Sequence, residues 1–183
     1  ADLMGPPAIF RFGSTQIIKA IKFAADIDVP YVITSEGTHL EWGLTLDELF
    51  QQVKFSLKEP LRFAKDYGVK LCLEPHGPLT TKAEWLHKIF DAFGNSEWLG
   101  VNFDTGNYYL GGGDPVKGIA SVIDKVYSLH LKEVPKGANR GIEFLDHKLR
   151  PRGCERAITF EEMTARAVAM GEGAVPFKEI AEI

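Results

Sequence analysis

Three features of the sequence predict an α/β fold of the (β/α)-barrel type, present as about four to five βα units. Helical and strand-like patterns alternate with a period of roughly thirty residues, the length of one βα unit. The strand-like runs are short, apolar and bounded by turn residues, and three of them end in an ionisable side chain. The 183 residues therefore read as a single (β/α)-barrel domain over 1–183, or as a fragment of one.

The elements follow in order. A helix is expected from Ser14 as N-cap through TQIIKAIKFAADI, where Ile17, Ile18, Ile21, Phe23 and Ala24 recur at helical spacing. Ahead of it, AIFRF is a candidate fifth strand. VPYVIT reads as a buried strand leading to Ser35, Glu36 and Gly37. Thr45 and Glu48 have capping-box spacing and open a second helix that ends at Gly68, with Pro60 expected to kink or split it. VKLCLE is the next strand. Thr81 and Glu84 repeat the capping box before a helix through Trp85, Leu86, Ile89 and Phe90. WLGVNFD is a third strand, Asp114 and Pro115 cap the helix PVKGIASVIDK, and VYSLHLKE is a fourth strand. From about residue 136 to 170 the periodicity fails, leaving a long loop with one helical piece, FEEMTARAVAM. VPFKEIAEI begins another helix.

Composition narrows the function. Hydrophobic residues make up 45%, charged residues 25%, and the net charge is -4, the profile of an ordinary globular protein. The 21 Lys and Arg are scattered among 25 Asp and Glu, so the cationic footprint of a nucleic-acid binder is missing. Small neutral or anionic substrates remain. Cys72 lies in an apolar run and Cys154 in a polar loop, without CxxC pairing, which argues against disulfides and thiolate zinc and for a reducing cytoplasm. No apolar stretch is long enough to span a bilayer, and ADLMGPPAIF lacks the basic-then-apolar order of a signal peptide. Neither nucleic acid nor membrane is expected as a partner.

Glu74 ends LCLE, Asp104 ends VNFD and His130 lies near the end of YSLHLKE. In a parallel barrel all strand C-termini share one face, so these side chains can converge from distant points in the chain. Two carboxylates and an imidazole suit Mn²⁺, Mg²⁺, Co²⁺ or Zn²⁺. Taken singly, a strand histidine is ordinarily a satisfied core residue and a strand-end aspartate a helix cap. Three ionisable groups at three corresponding strand ends would be costly in a barrel mouth unless paired or metal-bound.

LEPHG, NFDTGNYYLGGGDPV, HLKEV and GEGAVPFKEI resemble the xylose isomerase-like TIM-barrel superfamily of sugar phosphate isomerases and epimerases, over about residues 14 to 183. The resemblance implies one divalent metal held by Glu74, Asp104, His130 and a Glu of a final strand, which it places beyond Ile183. Two or three further strands would precede residue 1. Glu172, in the GEG loop, is the nearest acidic substitute. The implied reaction is isomerisation or epimerisation of a ketose or related polyol, with Glu74 as ligand and acid/base together. Dehydration of a keto-sugar or inosose shares the first step, and a carbohydrate- or metal-binding remnant without turnover is the alternative outside enzymology. Candidate substrate contacts are His76, Asn107, Lys132, Glu36 and Arg152, with His39, Trp42 and Arg150 as weaker ones. Asn107 stands where some epimerases carry a histidine. Lys132 and Glu133 extend the His130 strand, where Lys132 could face the mouth, although a solvated strand end is the more ordinary role. Asp146 and His147 come within one residue of the D-x-H spacing of endonuclease IV-like relatives, a branch the acidic balance disfavours. Pairing into homo-oligomers is carried over from the family as an expectation.

Overall fold

The computed structural model describes residues 3–4, 7–36, 44–138 and 168–183. Four strands form one parallel sheet in chain order: β1 (Tyr31–Thr34), β2 (Lys70–Leu73), β3 (Leu99–Asp104) and β4 (Val126–His130). The helices among the described residues are α1 (Pro7–Asp26), α2 (Leu46–Tyr67), α3 (Ala83–Ala92), the short α4 (Thr105–Leu110), α5 (Pro115–Ser121) and α6 (Phe177–Ala181). The order is that of a partial (β/α) barrel, as expected, and all four expected strands are present.

Alternation along the strands separates two faces. Leu71, Leu73, Leu99, Val101 and Phe103 join the apolar cluster with Ile17, Ile21, Leu49, Val53, Leu57, Leu86 and Phe90 of the helices. Cys72, Gly100, Asn102 and Asp104 occupy the opposite face, in line with one another across the β2–β3 and β3–β4 pairings. The strand C-termini thus deliver polar groups to one end while the helix side stays apolar.

Several local expectations hold. Thr45 and Glu48 form the full capping box of α2, which ends at Gly68 with φ +69°. Asp114 caps α5 ahead of Pro115, although that helix stops at Ser121 and a 3₁₀ turn over Ile123–Lys125 follows. α6 lies within VPFKEIAEI.

Others do not. AIFRF is the start of α1 and not a strand. A short apolar run is ambiguous by periodicity alone. Here the buried face Gly13, Ile17, Ile21 and Ala24 extends one helix back past Ser14, leaving Phe12 and Phe23 exposed. Thr81 does not cap α3, which follows Lys82 without a side-chain cap. The Thr81 hydroxyl instead donates to Gly77 O at 2.7 Å. Helix FEEMTARAVAM falls almost wholly outside the described residues, as do His39, Trp42, Asp146, His147, Arg150, Arg152 and Cys154.

Ser14 and Pro60 correct each other's expected roles. α2 runs on through Pro60 without splitting. A proline lacks the N–H that would bond to the carbonyl four residues earlier, here Ser56 O. That oxygen is met by the Ser14 hydroxyl at 2.9 Å, which lies equally close to Phe10 O within its own helix. Ser14 is therefore an interior residue of α1 that serves α2 across the helix contact. Ser14→Ala should destabilise the protein by about 1–2 kcal/mol, because a buried carbonyl loses its donor. With Pro60→Ala, which restores the helical N–H, that cost should largely disappear. Urea unfolding of the double-mutant cycle measures it, and an equal cost in both backgrounds would break the assignment.

Candidate metal centre

Parallel pairing carries Glu74 one residue past β2, where its N–H still donates to Thr34 O at 2.7 Å. Asp104 is the last residue of β3, and its register partner is His130 of β4. That partnership depends on an irregularity. Val101 pairs with Val126 but Asn102 pairs with Ser128, so Tyr127 is an extra residue in β4. An unbroken register would put Leu129 beside Asp104 and turn His130 to the helix side. Gly100 makes room for this bulge, since a Cβ there would run into the Tyr127 ring and Lys125 O.

The three predicted side chains converge. Their donor atoms all lie within 4.8 Å of one another. His130 Nδ1 is 3.5 Å from Glu74 Oε1 and 3.9 Å from Asp104 Oδ2. Two ligands on opposite sides of one ion are about 4.4 Å apart at most, so the set needs only small inward movement to share one. The two roles weighed for Asp104 are divided between its oxygens: Oδ1 caps α4 by accepting from Asn107 N at 2.7 Å, and Oδ2 faces His130.

Around these groups lies a donor network. His76 Nε2 is 2.9 Å from Glu74 Oε1. The carboxylate can only accept, so this nitrogen carries the proton. Lys132 Nζ donates to Asn107 Oδ1 at 2.7 Å, which fixes that amide with its Nδ2 toward Glu74 Oε1 at 3.4 Å. Lys132 is thus a networked residue of the site, brought there because Gly106 leaves space for its stem and because Thr105 Oγ1 bonds its backbone. Burial raises the Glu74 carboxyl, but the hydrogen bond and charge of His76 and the charge of His130 outweigh it and leave Glu74 below its ordinary value. For Asp104 burial prevails over the Asn107 N–H and Lys132, and its pKa rises. Two carboxylates, an imidazole and adjoining amides are the donor chemistry of a borderline-to-hard divalent ion, so the residues fit one.

Glu172 is exposed and stands outside the cluster. Glu133 is not a solvated strand end. It is 3% exposed, and it accepts from Val134 N at 3.0 Å, Val175 N at 2.9 Å and Gly171 N at 3.1 Å, clasping the GEG loop to the end of β4. Its sequence signal was only a lone acidic residue after HLK, which no pattern separates from a surface charge.

The sequence profile of the xylose isomerase-like TIM barrel family matches residues 1–183. A comparison with curated proteins finds no match. Among solved structures the chain is similar to a D-tagatose 3-epimerase-like protein, with 20% identity, a TM-score of 0.71, and coverage of 98% of this chain and 60% of that one. It is similar also to the probable 3-DHS dehydratase AsbF of Bacillus anthracis (14% identity, TM-score 0.69, 98% and 62% covered). A third is the IOLI protein with a binding zinc atom (20% identity, TM-score 0.64, 90% and 52% covered). At these identities the likeness is one of fold, and the chain spans about 60% of the length of the first of them.

Glu36, expected among the substrate contacts, is 0% exposed and is not brought to the cluster. Its Oε1 accepts from Leu79 N at 3.1 Å, Thr80 N at 3.2 Å and Thr80 Oγ1 at 3.2 Å, pinning the loop that follows Glu74. Oε2 has no partner among the described residues. Burial pushes this carboxyl from 4.5 up to about 7, against the opposing Thr80 and Leu79 hydrogen bonds. A carboxyl raised on folding stabilises fully below its unfolded value and loses that contribution as pH climbs through the folded one. Stability should therefore fall between pH 4.5 and 7, by roughly 3 kcal/mol from this group. Glu36→Gln should flatten that part of the profile, as measured by urea unfolding at a series of pH values. A slope unchanged by the substitution would assign the effect elsewhere.

Proposed function

The chain belongs to the xylose isomerase-like TIM barrel family, and from that premise we propose a divalent-metal-dependent sugar isomerase or epimerase. Its reaction is proton abstraction next to the carbonyl of a ketose or related polyol. The observation that carries this reading is the convergence of Glu74, Asp104 and His130 on one point at the strand ends. These three would hold the ion, of which Mn²⁺, Mg²⁺, Co²⁺ and Zn²⁺ all suit the donors. The chemistry supplied by a bound ion would be polarisation of the substrate carbonyl and stabilisation of the negative charge that develops when the adjacent C–H loses its proton.

The chain's own groups supply the rest. Glu74, held below the ordinary carboxylate range, stays ionised and accepts the proton. His76 Nε2–H, 2.9 Å from Glu74 Oε1, donates to that carboxylate and holds it in place. Lys132 and Asn107 present an ammonium and an amide to substrate hydroxyls or to an anionic group, and their mutual bond fixes which end of the amide faces Glu74. Loss of water can follow the same first step, so product analysis with ketoses and inososes separates isomerase from dehydratase. A reducing, cytoplasmic setting fits the free, buried Cys72.

Asp104→Asn tests the reading. The amide can keep Oδ1 on Asn107 N as the cap while turning an N–H toward the ion position. Metal affinity and proton exchange into a bound ketose should fall together, excess metal should recover part of the exchange, and stability should change by less than about 1 kcal/mol. Unchanged metal affinity in a folded Asp104→Asn protein removes Asp104 from the site and leaves the isomerase reading without its central ligand.

A further inference from the structure

We propose that Asn102 supplies a fourth protein donor, its amide oxygen, to the ion held by Glu74, Asp104 and His130, and that its amide turns over when the ion enters. The inference rests on the metal reading above and extends it to a residue that no strand-end pattern marks.

Asn102 lies two residues before Asp104 on the same face of β3 and is 0% exposed. Its Nδ2 is 3.0 Å from His130 Nδ1, and its Oδ1 is buried with no hydrogen-bond partner among the described residues. Buried side-chain acceptors are rarely left unpaired. The contrast with Asn107 is instructive. There a lysine, which can only donate, fixes the oxygen end of the amide. For Asn102 the one partner is an imidazole nitrogen that donates or accepts according to its tautomer, so nothing else among the described residues fixes the amide.

The occupant of the site decides the orientation. With Nδ1 bare, an amide N–H donates to its lone pair. That lone pair is the one an ion needs, because Nδ1 is the ring nitrogen that faces both carboxylates. Once Nδ1 binds a cation, an N–H beside it is repelled and a carbonyl oxygen is attracted. Rotation about the Cβ–Cγ bond exchanges the two ends of the amide without moving the backbone. The oxygen then lies near the former place of Nδ2, 3.0 Å from Nδ1, and a small side-chain turn carries it off the lone-pair axis that the ion takes. Adjacent ligands at right angles on an ion with bonds of about 2.1 Å are about 3.0 Å apart. One end of the amide lacks a partner in either orientation, so the turn is governed by what faces the other end. The resulting set, three oxygens and one nitrogen from β2, β3 and β4, favours harder ions over zinc.

The test uses the full chain, with Mn²⁺ affinity from calorimetry and the visible absorption of bound Co²⁺ as readouts. Asn102→Leu keeps the shape and removes both donors, and should weaken Mn²⁺ by roughly 10–100-fold and shift and intensify the Co²⁺ bands as the coordination number falls. Asn102→Asp, which returns an oxygen, should regain most of the affinity. Asn102→Leu with unchanged affinity and spectrum overturns the proposal and leaves the three-residue site standing. A wild-type chain that binds neither ion overturns the metal reading itself. Should Asn102→Leu not fold, Zn²⁺ titration of the ¹⁵N-labelled wild type decides: the Asn102 amide signals should move together with His130, and His130 moving alone refutes the turn.

Discussion

Between Val101 and Asn102 the β3–β4 ladder skips Tyr127, and the polar end of the molecule depends on that skip. Side chains alternate along a strand with a period of two, so one extra residue exchanges the faces of everything beyond it. Past the bulge, Ser128 and His130 share a face with Asn102 and Asp104. The contacts of Nδ1 with Glu74, Asp104 and Asn102 all follow. Gly100 is the sequence's contribution, because any larger residue would meet the Tyr127 ring. A small residue in β3 and a surplus one in β4 thus set up a site to which neither belongs.

Two buried carboxylates frame this site and titrate in opposite directions for one reason. Glu133 spreads backbone N–H groups over both oxygens, with Val134 and Val175 on Oε1 and Gly171 on Oε2, and these outweigh its burial and lower its pKa. Glu36 collects its three donors on Oε1 alone and leaves Oε2 without a described partner, so burial wins and its pKa rises. Each holds a loop to a strand end, but only Glu133 does so as a fully ionised group. The loop after Glu74 is accordingly held by a clasp that is weakest where Glu36 must carry charge.

The legible parts of the sequence were those in which one residue's chemistry suffices. Apolar runs closed by Glu74 and Asp104, or carrying His130 near the end, gave the parallel strands and the converging donors. Thr45 with Glu48, and Asp114 with Pro115, gave two helix starts, because a cap is a local bond. What escaped depends on partners far away in the chain. Ser14 reads as a cap until Pro60 is seen to free Ser56 O, 42 residues on. Thr81 has capping-box spacing, yet its hydroxyl is taken by Gly77, in a loop that Glu36 holds. Asn102 passes for one polar residue in a strand, and only the bulge makes it a neighbour of His130. AIFRF failed differently, since five apolar residues fit either period and the continuation of the buried face decides.

Charge balance connects this arrangement to chemistry. With both carboxylates ionised, Glu74 and Asp104 carry two negative charges, and Lys132, bonded to Asn107 and lowering the Asp104 pKa by its charge, returns one positive charge. Without a metal the group is therefore net negative and repels an anionic substrate. A divalent ion would reverse the sign, leaving an excess positive charge at the mouth, partly shielded from water by the burial of Asp104 and Asn102. On the proposed reading such a site would take hydroxyl-rich or anionic molecules only once loaded, and it would stabilise negative charge that grows during reaction more than a neutral ground state. Proton removal beside a carbonyl creates that charge. The same sign reversal would turn a donor–acceptor amide such as Asn102 over beside the ion position: N–H toward the empty, negative site and oxygen toward the loaded, positive one.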